Sequence, residues 1–410
     1  MSRRVLALLA LLAAGCQVRD VGPPHAQFLV VAGDSTYWVS STPQGVRVRG
    51  SPIQLARYGG RFYEVFIVDD DRSYTNAEIV GQQVWRRDLM NGDSAVVFED
   101  TTVAGLERWY ARTHPDDAPL DTDEDLPAHP PVSATSEFDI LDEFGPYLAY
   151  EYHADLTVTA GGGHDEWHAA RHGVLDLRTG KDVTIADLFG DRTASYVVHR
   201  GAELFTQTLD SVLASGDARA KAAASAMGDF QFDSSSWSIT AVDGAPAIAF
   251  AVPGRGSRAA GVTLPLPPIR VGSPAWWDDA RRGLPTGADS STLRWHHGSF
   301  TVIAREVGDG TAARLSLVDS ARREWPGSLV QTPVSRIYWL DPPGVDSAVL
   351  RSLSRAFDEA ALYSDEARTA VAHPRPPRPG VLHLTSTLHP WHPPHRLPRH
   401  RASPRRSSPT

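Results

Sequence analysis

Six short runs early in the chain, QFLVVAG, STYWVSS, GVRVRG, RFYEVFIVD, QVWRRDL and SAVVFED, alternate apolar with polar side chains, and each is bounded by Gly, Asp, Asn or Pro. A period of two puts every second side chain on one face of an extended backbone. Residues 27 to about 112 therefore predict a meander of antiparallel strands, with VAGLERWYARTH as a closing helix. VWRRDLMNGDSAVVFED has the order strand, Asn-Gly-Asp turn, strand, which is that of a hairpin. About six short strands are too few for a closed propeller.

The pattern then breaks. Residues 115–136, PDDAPLDTDEDLPAHPPVSATS, mix Pro, Asp and Ser with almost no bulky apolar side chains, so a solvated linker is expected. The acidic run lacks the glycine and terminal glutamate of an EF-hand loop. From 137 to 272 strands and helices mix: YLAYEYHADLTVTA alternates as a long strand, GVLDL and KDVTIADLF flank the turn RTGK, and Val197, Leu204, Leu209, Val212 and Leu213 recur at helical spacing. WSITAV, AIAFAVP and GVTLPLPPIRV return to strand character. The expected class is α+β, an antiparallel sheet with helices in this central module, flanked by β-rich regions at 17–114 and 273–372. The last of these ends in an amphipathic helix with Asp346 as N-cap and Val349, Leu350, Leu353, Phe357 and Ala361 on one face. Whether the two flanking regions pack together is open at this level.

Residues 373–410 hold ten prolines, seven arginines and six histidines with no acidic residue, a composition that cannot build a core, and disorder is expected there. Such a tail could bind metal or anionic lipid. A read-through or frameshifted gene end is the alternative.

Residues 1–16 read as an export signal. Arg3 and Arg4 precede the apolar stretch VLALLALLAA, too short to span a bilayer, and AAGC sets small residues directly before Cys16. This resembles a bacterial lipoprotein signal with its lipobox, which implies that Cys16 becomes the acylated first residue and holds the protein on a membrane. Cys16 is the only cysteine, so no disulfide within the chain is expected. Gln17, rather than Asp, after the cysteine points to the outer membrane, with the protein facing the periplasm.

Charge excludes one class of partner. With a net charge of −9 and a pI near 6.0, the body of the chain forms no basic stripe able to displace counterions from phosphate, so nucleic acid is not an expected ligand. The 410 residues are 41% hydrophobic and 9% aromatic, enough for real cores.

Among motifs, GGGHDEWHAARHG at 161–173 first suggests zinc chemistry, because His164, His168 and His172 sit four apart. A zinc protease helix needs His-Glu-x-x-His, and glycines at both ends make a stable helix of this length unfavourable. In a strand, residues four apart are about 13 Å from each other and cannot share one zinc. A glycine-rich turn entering a strand is therefore expected, with no metal and no cofactor. No Gly-x-Ser-x-Gly elbow is present in a strand-to-helix setting. Asp278 and Asp279 are adjacent in sequence and do not suit glycoside chemistry. Eleven tryptophans raise the possibility of carbohydrate stacking, and Trp276 and Trp277, beside Pro274 in an expected loop, are the candidate exposed platforms.

LTVTAGGGHDEWHAARHGVLDLRTGKDVTIADLF resembles the extracytoplasmic domain of RsiV-type, lysozyme-sensing anti-sigma factors, which also occurs beside certain peptidoglycan deacetylase domains. The matching landmarks are Gly162, Gly163 and His164, the turn from Asp176 through Gly180 to Lys181, and Asp187 to Phe189. AIAFAVPGRGSRAAGVTLPLPPI is similar to the closing strands, so the resemblance spans 137–272. It implies an envelope module that binds a lysozyme-like protein or peptidoglycan. The motifs that would carry an anti-sigma or a deacetylase role are not seen, so neither role is expected. The expectation is a lipid-anchored, non-catalytic binding protein, with a cell-wall-active enzyme as the alternative.

Overall fold

The computed structural model describes residues 27–357 apart from 33–34, 43–44, 52, 121–129, 161–162, 215–229, 255–262, 282–290, 298–299, 341–347 and 349–350. Cys16, Gly162 and the segment from His373 lie outside the described residues.

Seven strands come first: β1 (Gln27–Ala32), β2 (Ser35–Thr42), β3 (Gly45–Ser51), β4 (Gln54–Tyr58), β5 (Arg61–Tyr74), β6 (Ala77–Asp88) and β7 (Ser94–Glu99), followed by helix α1 (Thr101–Thr113). Asp100 caps α1 by accepting the Val103 N–H at 3.1 Å, and Val103, Leu106 and Tyr110 share the buried face. Next are β8 (Val132–Phe144), β9 (Tyr147–Ala160), β10 (Gly163–Asp176), β11 (Lys181–Asp182) and helices α2 (Ile185–Phe189) and α3 (Asp191–Ala214). Strands β12 (Trp237–Val242), β13 (Ala245–Pro253), β14 (Thr263–Pro265) and β15 (Ile269–Arg270) precede α4 (Ala275–Ala280). The chain continues with β16 (Thr292–His297), β17 (Phe300–Val307), β18 (Ala312–Asp319), β19 (Glu324–Val330), β20 (Tyr338–Leu340) and helical residues 351–357.

The fold is α+β and rich in strands. The largest sheet runs β11-β10-β9-β8-β6-β5-β4, with β7 paired to β6. Its contacts are antiparallel except that β6 and β8 run parallel over Ala77↔Val132 to Val80↔Thr135. Parallel neighbours need a crossover, and the segment containing α1 supplies it, packing Val103 and Tyr110 over Ala77, Ile79 and Ala134. The expected linker is correspondingly shorter than its sequence suggested: residues 132–136 already belong to β8, where Val132, Ala134 and Ser136 are buried. Val132 and Ala134 are covered by α1, and the Ser136 hydroxyl accepts from the Gln82 N–H.

The flanking regions do pack together. β1 pairs with β2 on one side and β20 on the other. Leu29 and Val31 enter one core while Val30 enters another, so the strand is buried on both faces over Leu29, Val30 and Val31. That second core joins Val30 and Val39 to Phe300, Val302, Leu315, Leu317 and Val330 of the β16-β17-β18-β19 sheet. In the first core the β12–β15 sheet, α2, α3 and Phe357 close over Phe144, Tyr147, Ala149 and Val174. Leu353 and Phe357 are buried as the amphipathic pattern expects, while Val349, Leu350 and Ala361 lie outside the described residues.

Candidate functional site

The landmark residues of the central module are devices of local folding. Asp176 ends β10; its carboxylate accepts from the Arg178 backbone N–H and guanidinium, and its carbonyl accepts from the N–H groups of Thr179 and Gly180. Gly180 sits at φ +66°, where a Cβ would also lie 2.9 Å from the Val97 carbonyl oxygen. Asp187 forms a capping box with Thr184, each side chain accepting from the other's backbone N–H. Gly163 and His164 open β10, opposite Ala160 and Thr159. From Gly163 on, the histidine-rich stretch is thus a strand, the conformation that its glycines, against its helix-like histidine spacing, led one to expect.

Strands β9 and β10 pair without interruption from Gly163↔Ala160 to Asp176↔Tyr147. In the stretch YEYHAD the even positions, Tyr150 and Tyr152, are buried, and the odd ones, Glu151, His153 and Asp155, take the opposite face. Register carries that face to Glu137 and Asp139 on β8 and to Glu166, His168 and His172 on β10. It extends to Glu78 beside Ser133, and Asp69 lies opposite Gln82 further along. Among the described residues at these register positions of β8, β9 and β10 there is no lysine or arginine.

The face grades from core to solvent. Tyr147, Ala149 and Val174 are covered by the β12–β15 sheet. At its margin lies Glu151, whose Oε1 is 3.0 Å from His153 Nε2 and 3.3 Å from His172 Nε2, and accepts from Thr263 Oγ1 at 3.3 Å. The His172 approach is a close contact without hydrogen-bond alignment, and neither ring nitrogen of that half-buried imidazole has a hydrogen-bond partner among the described residues. Beyond the margin, His168 Nδ1 lies 2.5 Å from Asp155 Oδ1, and Nε2 3.8 Å from Glu166 Oε2.

These contacts set the charges. His153, 3.0 Å away, and then the nearby His172 imidazole hold the Glu151 carboxyl well below its ordinary range. The Glu151 hydrogen bond raises the His153 pKa, with Asp139 and Glu137 adding their field, and Asp155 does the same for His168. A nucleophilic triad would need a hydroxyl bonded to the imidazole. Here the Thr263 hydroxyl is bonded to the carboxylate, so Glu151 favours the charged form of His153 and no imidazole is set to activate the Thr263 oxygen.

No three His, Cys, Asp or Glu side chains among the described residues converge as metal ligands. A cavity of about 20 Å³ beneath α1 has room for roughly one water and is lined in part by Asp70, Arg72, Glu99, Asp100 and Glu107. Arg72 is paired there with Asp70 and Glu107.

The expected tryptophan platforms are corrected by the structure. Trp276 and Trp277 lie on α4, not in a loop, and Trp277 is only 2% exposed. Its ring stacks on Phe144 at 5.1 Å, its N–H donates to the Gly244 carbonyl, and the Arg281 guanidinium covers it at 4.5 Å. Trp276 is half-buried against Tyr147 and Phe189 and donates to the Leu188 carbonyl. Both indoles are used by the core. The acidic face was missed because no single strand advertises it; the alternation of tyrosine with ionisable residues in YEYHAD was its one legible signal.

No family model and no curated protein matches the chain. A solved structure with which it shows similarity is that of a DUF3298 family protein from Pseudomonas aeruginosa PAO1, at 12% identity, covering 50% of this chain and 89% of that one, with a TM-score of 0.30. Similarity at that level carries no argument about function.

Proposed function

We propose that this chain is a lipid-anchored envelope protein whose central module binds a basic protein, non-catalytically, through the carboxylate-rich face of β8, β9 and β10. The carrying observation is that Glu137, Asp139, Asp155 and Glu166 share an open face on which the cations are histidines. Such a surface projects a negative field that draws positively charged partners and repels the anionic wall. The resemblance of 137–272 to RsiV-type domains supports a lysozyme-like partner over peptidoglycan, and the lipobox ending at Cys16 supports the anchor. The ionisable groups are spread across strands and do not converge in a cleft, which favours binding over the enzymatic alternative.

The test is retention of full-length protein on immobilised lysozyme and on sacculi, with and without Asp155→Lys and Glu166→Lys together. Retention on lysozyme should fall with salt and weaken by about tenfold on charge reversal, roughly 1.4 kcal/mol. Retention on sacculi alone, indifferent to the reversal, would refute the proposal. For the anchor, Cys16→Ala should move the protein from the membrane to the soluble fraction; unchanged fractionation would sink that part.

A further inference from the structure

Strand β10 forms one margin of the large sheet. Its inner edge pairs with β9 over the whole strand, whereas on the outer edge β11 pairs only Leu175 and Asp176. The His172 N–H donates outward to Ser236 Oγ at 2.9 Å, and the Val174 carbonyl accepts outward from Val183 N–H at 2.9 Å. In an antiparallel ladder this fixes the alternation: main-chain groups of the even-numbered residues 164–170 point out of the sheet. On that outer edge no described strand is paired to β10 along 164–170.

Sheet margins are ordinarily closed to further strands by proline, a bulge or brevity. β10 has none of these: it is 14 residues long, contains no proline, and keeps register throughout. The opposite margin, β4, is 5 residues long and largely buried. Glu166, with Asp155 behind it, flanks the open margin on one face, and Trp167, 45% exposed, flanks it on the other.

We infer that the β10 margin takes an extended segment of a basic protein as an added strand. Alternate arginine or lysine side chains would lie over Glu166 and Asp155, and the intervening apolar ones against Trp167. This rests on the proposed binding of a basic protein by the acidic face and specifies how that partner is held.

The experiment measures binding of full-length protein to a blocked synthetic nonapeptide alternating arginine with valine, by fluorescence anisotropy. A scrambled peptide of the same composition, a version N-methylated at alternate amides, and the Trp167→Ala protein are run beside it. N-methylation on the pairing edge should weaken binding about tenfold or more, and scrambling and Trp167→Ala several-fold. Equal affinity for all three peptides overturns strand addition while leaving the acidic face as a charge-driven surface. Retention on lysozyme with no peptide binding also overturns it. Salt-independent behaviour of every ligand overturns the underlying reading instead.

Discussion

Replacing Glu143 by Gln probes the most uncomfortable group in the core. Glu143 lies near the end of β8 with its side chain buried, and its Oε1 has no hydrogen-bond partner among the described residues. Burial pushes this carboxyl well above its usual value of 4.5, and the neighbouring Asp142 adds to the effect; backbone N–H groups of Arg57 and Gly145 oppose it. Above pH 4.5 the unfolded chain releases a proton that the folded chain keeps. Stability must therefore fall as pH rises from 4.5 towards the raised folded value, by ~1.4 kcal/mol per pH unit. The loss accumulates for as long as the pH stays below the raised folded value. Glutamine keeps the shape and does not titrate, but its amide N–H₂ in a partnerless position costs about 1–2 kcal/mol. Glu143→Gln should thus lose nothing by this route as pH rises, so the stability difference should move steadily in the variant's favour from pH 4.5 upward, by up to ~1.4 kcal/mol per pH unit. Urea titrations of both proteins at half-unit steps from pH 4.5 to 8 measure the difference. Parallel curves would show that Glu143 folds ionised, and the argument would fail.

Two further substitutions test the packing. Trp277→Ala removes a ring stacked on Phe144 and should lower stability by about 3–5 kcal/mol in the same assay; a loss under about 1 kcal/mol would mean the indole is dispensable to the core. Gly173→Ala would set a Cβ 2.4 Å from the Tyr150 ring, which is itself buried and bonded to Asp182, so about 1–3 kcal/mol should be lost; an unchanged midpoint would contradict the close approach.

Local pattern carried much of this structure. Alternation in RFYEVFIVD and YLAYEYHADLTVTA marked β5 and β9, the glycines argued against a helix in the histidine-rich stretch, and Leu353 with Phe357 marked a buried helical face. What the sequence hid depends on partners far along the chain. Nothing near Trp277 says that Phe144, from a distant hairpin, will cover it, so the indole read as exposed. Val132 and Ala134 read as linker because the helix that packs on them belongs to an earlier segment. The acidic face is likewise invisible to any window: β8, β9 and β10 each contribute a few carboxylates, and only the register places them side by side.

The pairing of β1 with β20 also has a cost in time. Leu29, Val30 and Val31 are among the first strand residues made, and the strand completing their sheet, Tyr338 to Leu340, is among the last. At roughly 5–20 residues per second that edge waits roughly 15–60 s, a doubly apolar strand open to any wrong partner. A holding chaperone has its natural task there, and a chain cut short of Tyr338 would never close the gap, presenting to proteases the stretch that the finished protein hides most completely.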